Sequence, residues 1–260
     1  MRSLEIICHC YSEQIPDFAS MLTAQLSSII RHPPSTGEVV ITVCTTATDR
    51  LTRDVCAAMA YKMKGNRAAR LDGKSNGLAP MILIELLLDK SLLFRRAIGR
   101  NIRARRTISD VAWWADADYL VGPGTLDAML AVECDTLWHP KEVMIHTSHA
   151  EGDEFLRGVI PGEMVEGNLG RFQPHRVKMA IGGLQFVPGS IARAKGYLDQ
   201  TRWTKPVDPA GGFRDTKEDR VFRGTFERSE SFEIPNLLRL RHSKSAFQDA
   251  ETRLAQTAGQ

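Results

Sequence analysis

Two short apolar runs, Leu4 to Cys10 (LEIICHC) and Val39 to Cys44 (VVITVC), each give way to a segment of helical period, and this alternation limits the chain to few architectures. After the first run, Phe18, Met21, Leu22, Leu26 and Ile29-Ile30 recur at helical spacing until His32-Pro33-Pro34 stops them. After the second, Asp49 to Met63 reads as a helix. Apolar strands separated by helices imply a mainly parallel sheet covered by helices on its faces, with ligands beyond the carboxyl ends of its strands.

Further along, residues 64 to 77 read as a Gly/Asn/Lys-rich loop with a short strand at Ala68 to Leu71. A long helix is expected from Pro80 to Arg106 with a break near Asp89, then a strand from Val111 to Ala115. The second half is expected to be irregular, with loops at 138 to 175, an apolar piece at Met179 to Val187, a helix near Ser190 to Asp199 and a Gly/Pro/charge-rich segment at 204 to 220. With 260 residues and 43% hydrophobic content, the chain suits one large domain or two small ones; a single domain is expected over 1–247, divided into halves at 1–135 and 136–247, with a polar tail at 248–260.

Charge does little to narrow the function. Against 34 basic residues stand 31 acidic ones, and a net +3 does not by itself point to nucleic acid or a membrane. The five cysteines (8, 10, 44, 56, 134) are odd in number and contain no Cys-x-x-Cys pair, which argues against a disulfide framework and a structural zinc site. No run approaches the roughly 18 apolar residues of a membrane span, and the start of the chain lacks a signal-peptide core, so a cytoplasmic location is expected.

The chemistry concentrates where the strand from Val111 to Ala115 ends. Asp116-Ala117-Asp118 follows Trp113-Trp114 and projects two carboxylates into the region where ligands of such sheets bind. Hard oxygen ligands suit Mn²⁺ or Mg²⁺ bridging a diphosphate. Solvated turn aspartates are the plain alternative.

Taken in order with several other segments, this motif resembles the family 2 glycosyltransferases and the wider class of nucleotide-diphospho-sugar transferases with the GT-A fold. The resemblance spans roughly residues 4 to 245, through short motifs in the correct order. It implies an α/β GT-A fold and metal-dependent transfer of a sugar from a nucleotide-diphosphate sugar, UDP-sugar favoured, to an unidentified hydroxyl acceptor. In ICHCYSEQIPDF, His9 and Tyr11 are the implied base contacts and Glu13 lies in the same nucleoside loop. Thr45-Thr46 stands where relatives place an acidic residue against base or ribose. Within Phe94 to Asn101, Arg95 is the implied diphosphate or base contact, supported by Arg100 and Asn101. Gly183, in AIGGLQ, is similar to the family's small-residue segment that lets backbone lie near the donor sugar.

In TKEDR, Asp219 is the implied catalytic base and Glu218 an acceptor-binding or orienting residue; such a base implies inversion, while retaining enzymes share the fold and the Asp-x-Asp and need no base there. His242, in LRLRHS, is implied to join Asp118 on the metal, with Asp116 beside the donor and near the ion, and Arg239 or Arg241 to neutralise the departing diphosphate. Sugar nucleotidyltransferases share the fold but carry a Gly-rich phosphate loop, and Cys8 to Ile15 has no glycine.

Two competing readings stand. Arg96, Arg100 and Arg103 share one helix face and would suit nucleic-acid phosphates, so a nucleic-acid-binding protein, or a transferase acting on modified nucleic acid, is the alternative; donor contacts plus a solvated face explain the stripe more simply. His146 and His149 would suit a helical zinc pair but lack further ligands, and are expected in an exposed acceptor-side loop. Trp113, Trp114, Met179 and Phe186 are expected in the core.

Overall fold

The computed structural model describes residues 1–13, 15, 17–69, 81–165, 169–198, 200–211 and 218–243. In chain order the elements are β1 (Ser3–His9), α1 (Asp17–Arg31), β2 (Glu38–Thr45), α2 (Arg50–Ala69), β3 (Met81–Leu87), α3 (Lys90–Leu93), α4 (Arg96–Arg106), β4 (Val111–Trp114), β5 (Tyr119–Val121), α5 (Thr125–Ala131), β6 (Leu137–Pro140), β7 (Glu142–His146), α6 (His149–Gly158), β8 (Phe172–Arg176), β9 (Gln185–Pro188), α7 (Gly189–Lys195), α8 (Thr201–Thr204), α9 (Glu218–Arg223), β10 (Ser229–Phe232) and β11 (Leu237–Arg239). A seven-stranded sheet has the order β10-β6-β9-β4-β1-β2-β3. All its pairings are parallel except the two that β9 makes with β4 and β6. The expected α/β architecture with a mainly parallel sheet is therefore present.

The centre of this sheet is apolar on the face toward α1 and α2, whereas the face toward α4 also carries the buried Glu5, His9 and Thr42. Side chains alternate along a strand, so Leu4, Ile6 and Cys8 of β1 join Val39, Ile41 and Val43 of β2 under α1 and α2, whereas Ile7 and Cys44 face α4. Neighbouring tryptophans divide in the same way. Trp113 stacks on Phe186 in the first layer, and Trp114 meets Tyr197 and Phe222 in the second. Both are fully buried, and each such aromatic contributes on the order of 2–3 kcal/mol of hydrophobic stabilisation.

A second sheet, β5-β11-β7-β8, packs against the outer side of α1 through Met21, Ala24, Leu120, Leu156 and Leu240. It is built mainly from residues expected to be loops. The segment 138 to 175 contains β7 and α6 and most of β6 and β8, because its apolar residues are too sparse to show a period until pairing across strands is counted. Strands from both sides of residue 135 also share the large sheet.

Three further expectations change. Residues 81 to 87 form the edge strand β3 paired with β2 rather than the start of a long helix. MILIELL satisfies helix and strand patterns alike, and the open edge of β2 decides between them. The helix after Asp89 breaks at Arg95, whose φ of −113° and ψ of 94° are extended. In place of a loop beginning at residue 64, α2 continues to Ala69, so Ala68 is helical; Leu71 lies outside the described residues, as do most of the 64 to 77 segment and the tail 248–260. Helix α7 ends at Lys195, where Gly196 takes φ 71° and ψ −158°, a conformation that glycine adopts without side-chain strain. No helix among the described residues is long and apolar enough to cross a membrane.

Candidate functional site

The Asp116 to Asp118 turn lies beyond the carboxyl end of β4 and is pinned by backbone bonds. Gln25 of α1 donates its amide to the Asp116 and Tyr119 carbonyls at 2.9 and 3.0 Å. The Asp118 carbonyl accepts from the Leu240 N–H at 2.8 Å, which places the His242 segment beside the turn.

The two aspartates have opposite environments. Asp116 Oδ1 accepts from Arg96 Nη1 at 3.0 Å and Arg100 Nη2 at 3.1 Å. Burial raises the Asp116 pKa, but Arg96, Arg100 and Arg239 together hold it below the ordinary value, so it stays ionised. For Asp118 burial dominates and raises the pKa, with Arg239 opposing and Asp116 reinforcing. Its Oδ2 accepts from Arg239 Nε at 3.2 Å, while Oδ1 is buried without a hydrogen-bond partner.

His242 is 5% exposed; burial lowers its pKa, Asp118 opposes, and its Nδ1 is also buried and unpartnered. An acidic oxygen and a neutral imidazole nitrogen, both without partners, fit a divalent cation in donor chemistry. Asp116 is already committed to two arginines. The three residues do not bring ligand atoms within 4.8 Å of one another; among the described residues the group that does is Cys134, Asp135 and Glu230, and there Arg228 already pairs with both acids.

Across the site, Gly182 (φ 53°) donates its N–H to Asp219 Oδ2 at 2.9 Å. At Gly183 a Cβ would fall 2.5 Å from the Tyr119 ring and 2.7 Å from the Asp116 nitrogen, so backbone lies directly against the turn only because the residue is glycine. Glu218 is 3% exposed and accepts the Ala97 N–H at 2.9 Å, capping the first turn of α4; its other oxygen is buried without a partner. Thr216 and Lys217 of the same motif lie outside the described residues.

The nucleoside-loop residues are packed inward. His9 is 7% exposed beneath α4, neither ring nitrogen has a hydrogen-bond partner, and a Cβ on Gly99 would fall 2.4 Å from its Nε2. Tyr11 is wedged edge-on between Phe18 and Phe94. Neither ring offers an open face to a base. Glu13 pairs with Lys90, and Thr45 is fully buried with its hydroxyl unpartnered. Arg95 donates to the Arg202 carbonyl at 2.8 Å and lies over Trp203, while Asn101 Oδ1 accepts the Tyr197 N–H at 3.0 Å.

The arginine stripe is not a solvated face. Arg96 and Arg100 turn to Asp116, and Arg103 donates to the buried Glu5 at 2.7 Å. His146, expected to be exposed, is fully buried on Phe172 with Nε2 at 2.6 Å from the Leu169 carbonyl, because it closes β7 against β8. Met179 is 42% exposed rather than core; Trp113, Trp114 and Phe186 are buried.

Sequence reasoning missed Gln25, Asp49, Gln185 and Tyr197. Asp49 accepts from the Ser12 N–H and hydroxyl and from the Thr52 N–H and hydroxyl, fastening the loop after β1 to the start of α2. Its signal was an aspartate immediately before a helical stretch; that of Gln25 was an amide inside an apolar stripe.

No family model matches the chain, and no curated protein matches it. Among solved structures it is similar to S. aureus TarS, at 12% identity over 92% of this chain and 36% of that one, with a TM-score of 0.46. It is similar also to the glycosyltransferase GlyE of Streptococcus pneumoniae TIGR4, at 11% identity over 99% of this chain and 60% of that one, TM-score 0.46. A third is S. aureus TarS 1-349 in complex with UDP-GlcNAc, at 13% identity over 95% and 62%, TM-score 0.44. The chain thus spans less than two thirds of the length of each.

Proposed function

We propose that the protein is a glycosyltransferase that moves a sugar from a nucleotide-diphosphate donor, a UDP-sugar by preference, to a hydroxyl acceptor. The observation that carries this reading is the convergence, beyond the carboxyl end of β4, of the Asp116 to Asp118 turn, His242 and the glycine pair that holds Asp219. Electrostatic roles divide between the two aspartates. Asp118 and His242 would hold a divalent ion through their unpartnered atoms, and Asp116 would fix Arg96 and Arg100 beside the donor. A bound Mn²⁺ or Mg²⁺ supplies a Lewis acid against the diphosphate charge.

Asp219 would serve as the base. Its Oδ2 is held by the Gly182 N–H, and Oδ1, with no hydrogen bond among the described residues, would take the acceptor proton. Displacement would then proceed with inversion. The inward pairing of Arg96, Arg100 and Arg103 counts against the nucleic-acid reading, since cations spent on buried carboxylates do not gather phosphates.

Thermal shifts with UDP, GDP, CDP and dTDP, each with and without Mn²⁺, test the proposal, because a ligand that binds the native state raises the melting temperature. A metal-dependent rise with one nucleotide, lost in Asp118→Ala, is expected. A folded sample that responds to none of the four would overturn it.

A further inference from the structure

Four hydrogen bonds run unbroken from one acidic motif to the other. Arg100 Nη2 donates to Asp116 Oδ1 at 3.1 Å, and its Nη1 donates to the Tyr197 hydroxyl at 3.0 Å. That hydroxyl donates to Gln185 Oε1 at 3.3 Å, and Gln185 Nε2 donates to the Asp219 carbonyl at 2.8 Å. The three linking residues, Arg100, Tyr197 and Gln185, are 1%, 3% and 0% exposed.

Only a hydroxyl satisfies both ends of the middle step. Arg100 has donors and no acceptor, so it needs an acceptor there. Gln185 directs Nε2 at the Ala180 and Asp219 carbonyls, which leaves Oε1 facing Tyr197 and in need of a donor. The phenol, kept protonated by burial that pushes its pKa up to about 12, meets both demands. Its ring does a separate job: it stacks on Phe222 of α9 at 4.3 Å, meets Trp114 edge-on at 5.4 Å and carries the Arg100 guanidinium 5.2 Å from its centroid. Phenylalanine would keep every one of those ring contacts.

We propose that the Tyr197 hydroxyl, acting through Gln185, is a positioning group that holds the start of α9, and hence Asp219, at a fixed offset from the Asp116 turn. The role rests on the glycosyltransferase reading, in which the donor is fixed at the turn and the acceptor proton goes to Asp219. A displacement of about 1 Å in such an alignment lowers turnover by up to about 100-fold without weakening donor binding.

The test uses the full chain with Mn²⁺ and the sugar nucleotide whose diphosphate stabilises the wild type, following diphosphate release with water as acceptor. In Tyr197→Phe, kcat per active site is expected to fall about 10- to 100-fold, while KM for the donor stays within about twofold. Gln185→Met should do the same, and the double variant should lose no more than either single one, because all three break a single chain of bonds. A wild-type kcat in folded Tyr197→Phe, or losses that multiply in the double variant, would overturn the positioning role and leave the glycosyltransferase reading standing. A wild type that neither is stabilised by any nucleoside diphosphate nor releases one from any sugar nucleotide overturns that reading and the positioning role with it.

Discussion

Arg100 and Asp116 meet at 3.1 Å with the arginine 1% exposed, so the first aspartate of the strand-end turn spends much of its charge inside the protein. A buried guanidinium that loses its carboxylate keeps its desolvation cost and is left with neutral partners only, here the Tyr197 hydroxyl and the Ala115 carbonyl. Asp116→Asn is therefore expected to lower the unfolding free energy by about 3–5 kcal/mol. Arg96→Met should cost less, roughly 1–2 kcal/mol, because Arg96 is 19% exposed and Arg100 continues to hold Asp116. Urea unfolding of the two variants beside the wild type measures both; equal losses would show that the buried partner is not the dominant one.

Gly99 is a glycine inside a helix, where alanine ordinarily gains about 1 kcal/mol. Here the added Cβ would fall 2.4 Å from His9 Nε2 and 2.9 Å from Cys44 Sγ, both in a packed layer. Gly99→Ala is expected to be destabilising by about 1–3 kcal/mol, the overpacking cost exceeding the propensity gain. In a Gly99→Ala background, His9→Ala should cost less than it does in the wild type, since it removes the atom that is struck. Additive losses in a double-mutant cycle would contradict this packing.

Burial holds the His9 pKa well below its ordinary value, with Arg100 and Arg96 adding to the effect. The unfolded chain binds a proton at this residue near pH 6.5 and the folded chain does not, so stability declines as pH falls below about 6.5. The slope from one such histidine reaches about 1.4 kcal/mol per pH unit. His9→Phe should flatten the stability curve between about pH 6 and pH 5 by roughly one proton. Denaturant midpoints across that range measure the slope, and an unchanged slope would mean that His9 is not the group responsible.

How much of this was legible in the sequence follows from which interactions are local. β1, α1, β2 and β4 could be read because each carries its own period and its own stop, such as His32-Pro33-Pro34 after α1. β3 could not, since Met81 to Leu87 suits helix and strand equally and only the edge of β2 settles it. The strand-end aspartates, the glycine pair and the Glu218-Asp219 pair stood out as motifs, and the structure places the Asp116 turn against Gly183 and Asp219 against Gly182. Their connections did not stand out. Tyr197 and Gln185 lie 12 residues apart, and Tyr197 and Arg100 lie 97 apart; no periodicity joins them. The inward turn of the arginine stripe was equally hidden, because its partners Glu5 and Asp116 sit on β1 and after β4.

The central claim is sugar transfer, and the most direct measurement is NMR observation of UDP-sugars incubated with the full chain and Mn²⁺. The expected result is metal-dependent consumption of one donor, with the anomeric configuration of the released sugar inverted at early times and the reaction lost in Asp219→Asn. Donors left intact by a folded protein, or consumption that Asp219→Asn leaves undiminished, would contradict the account.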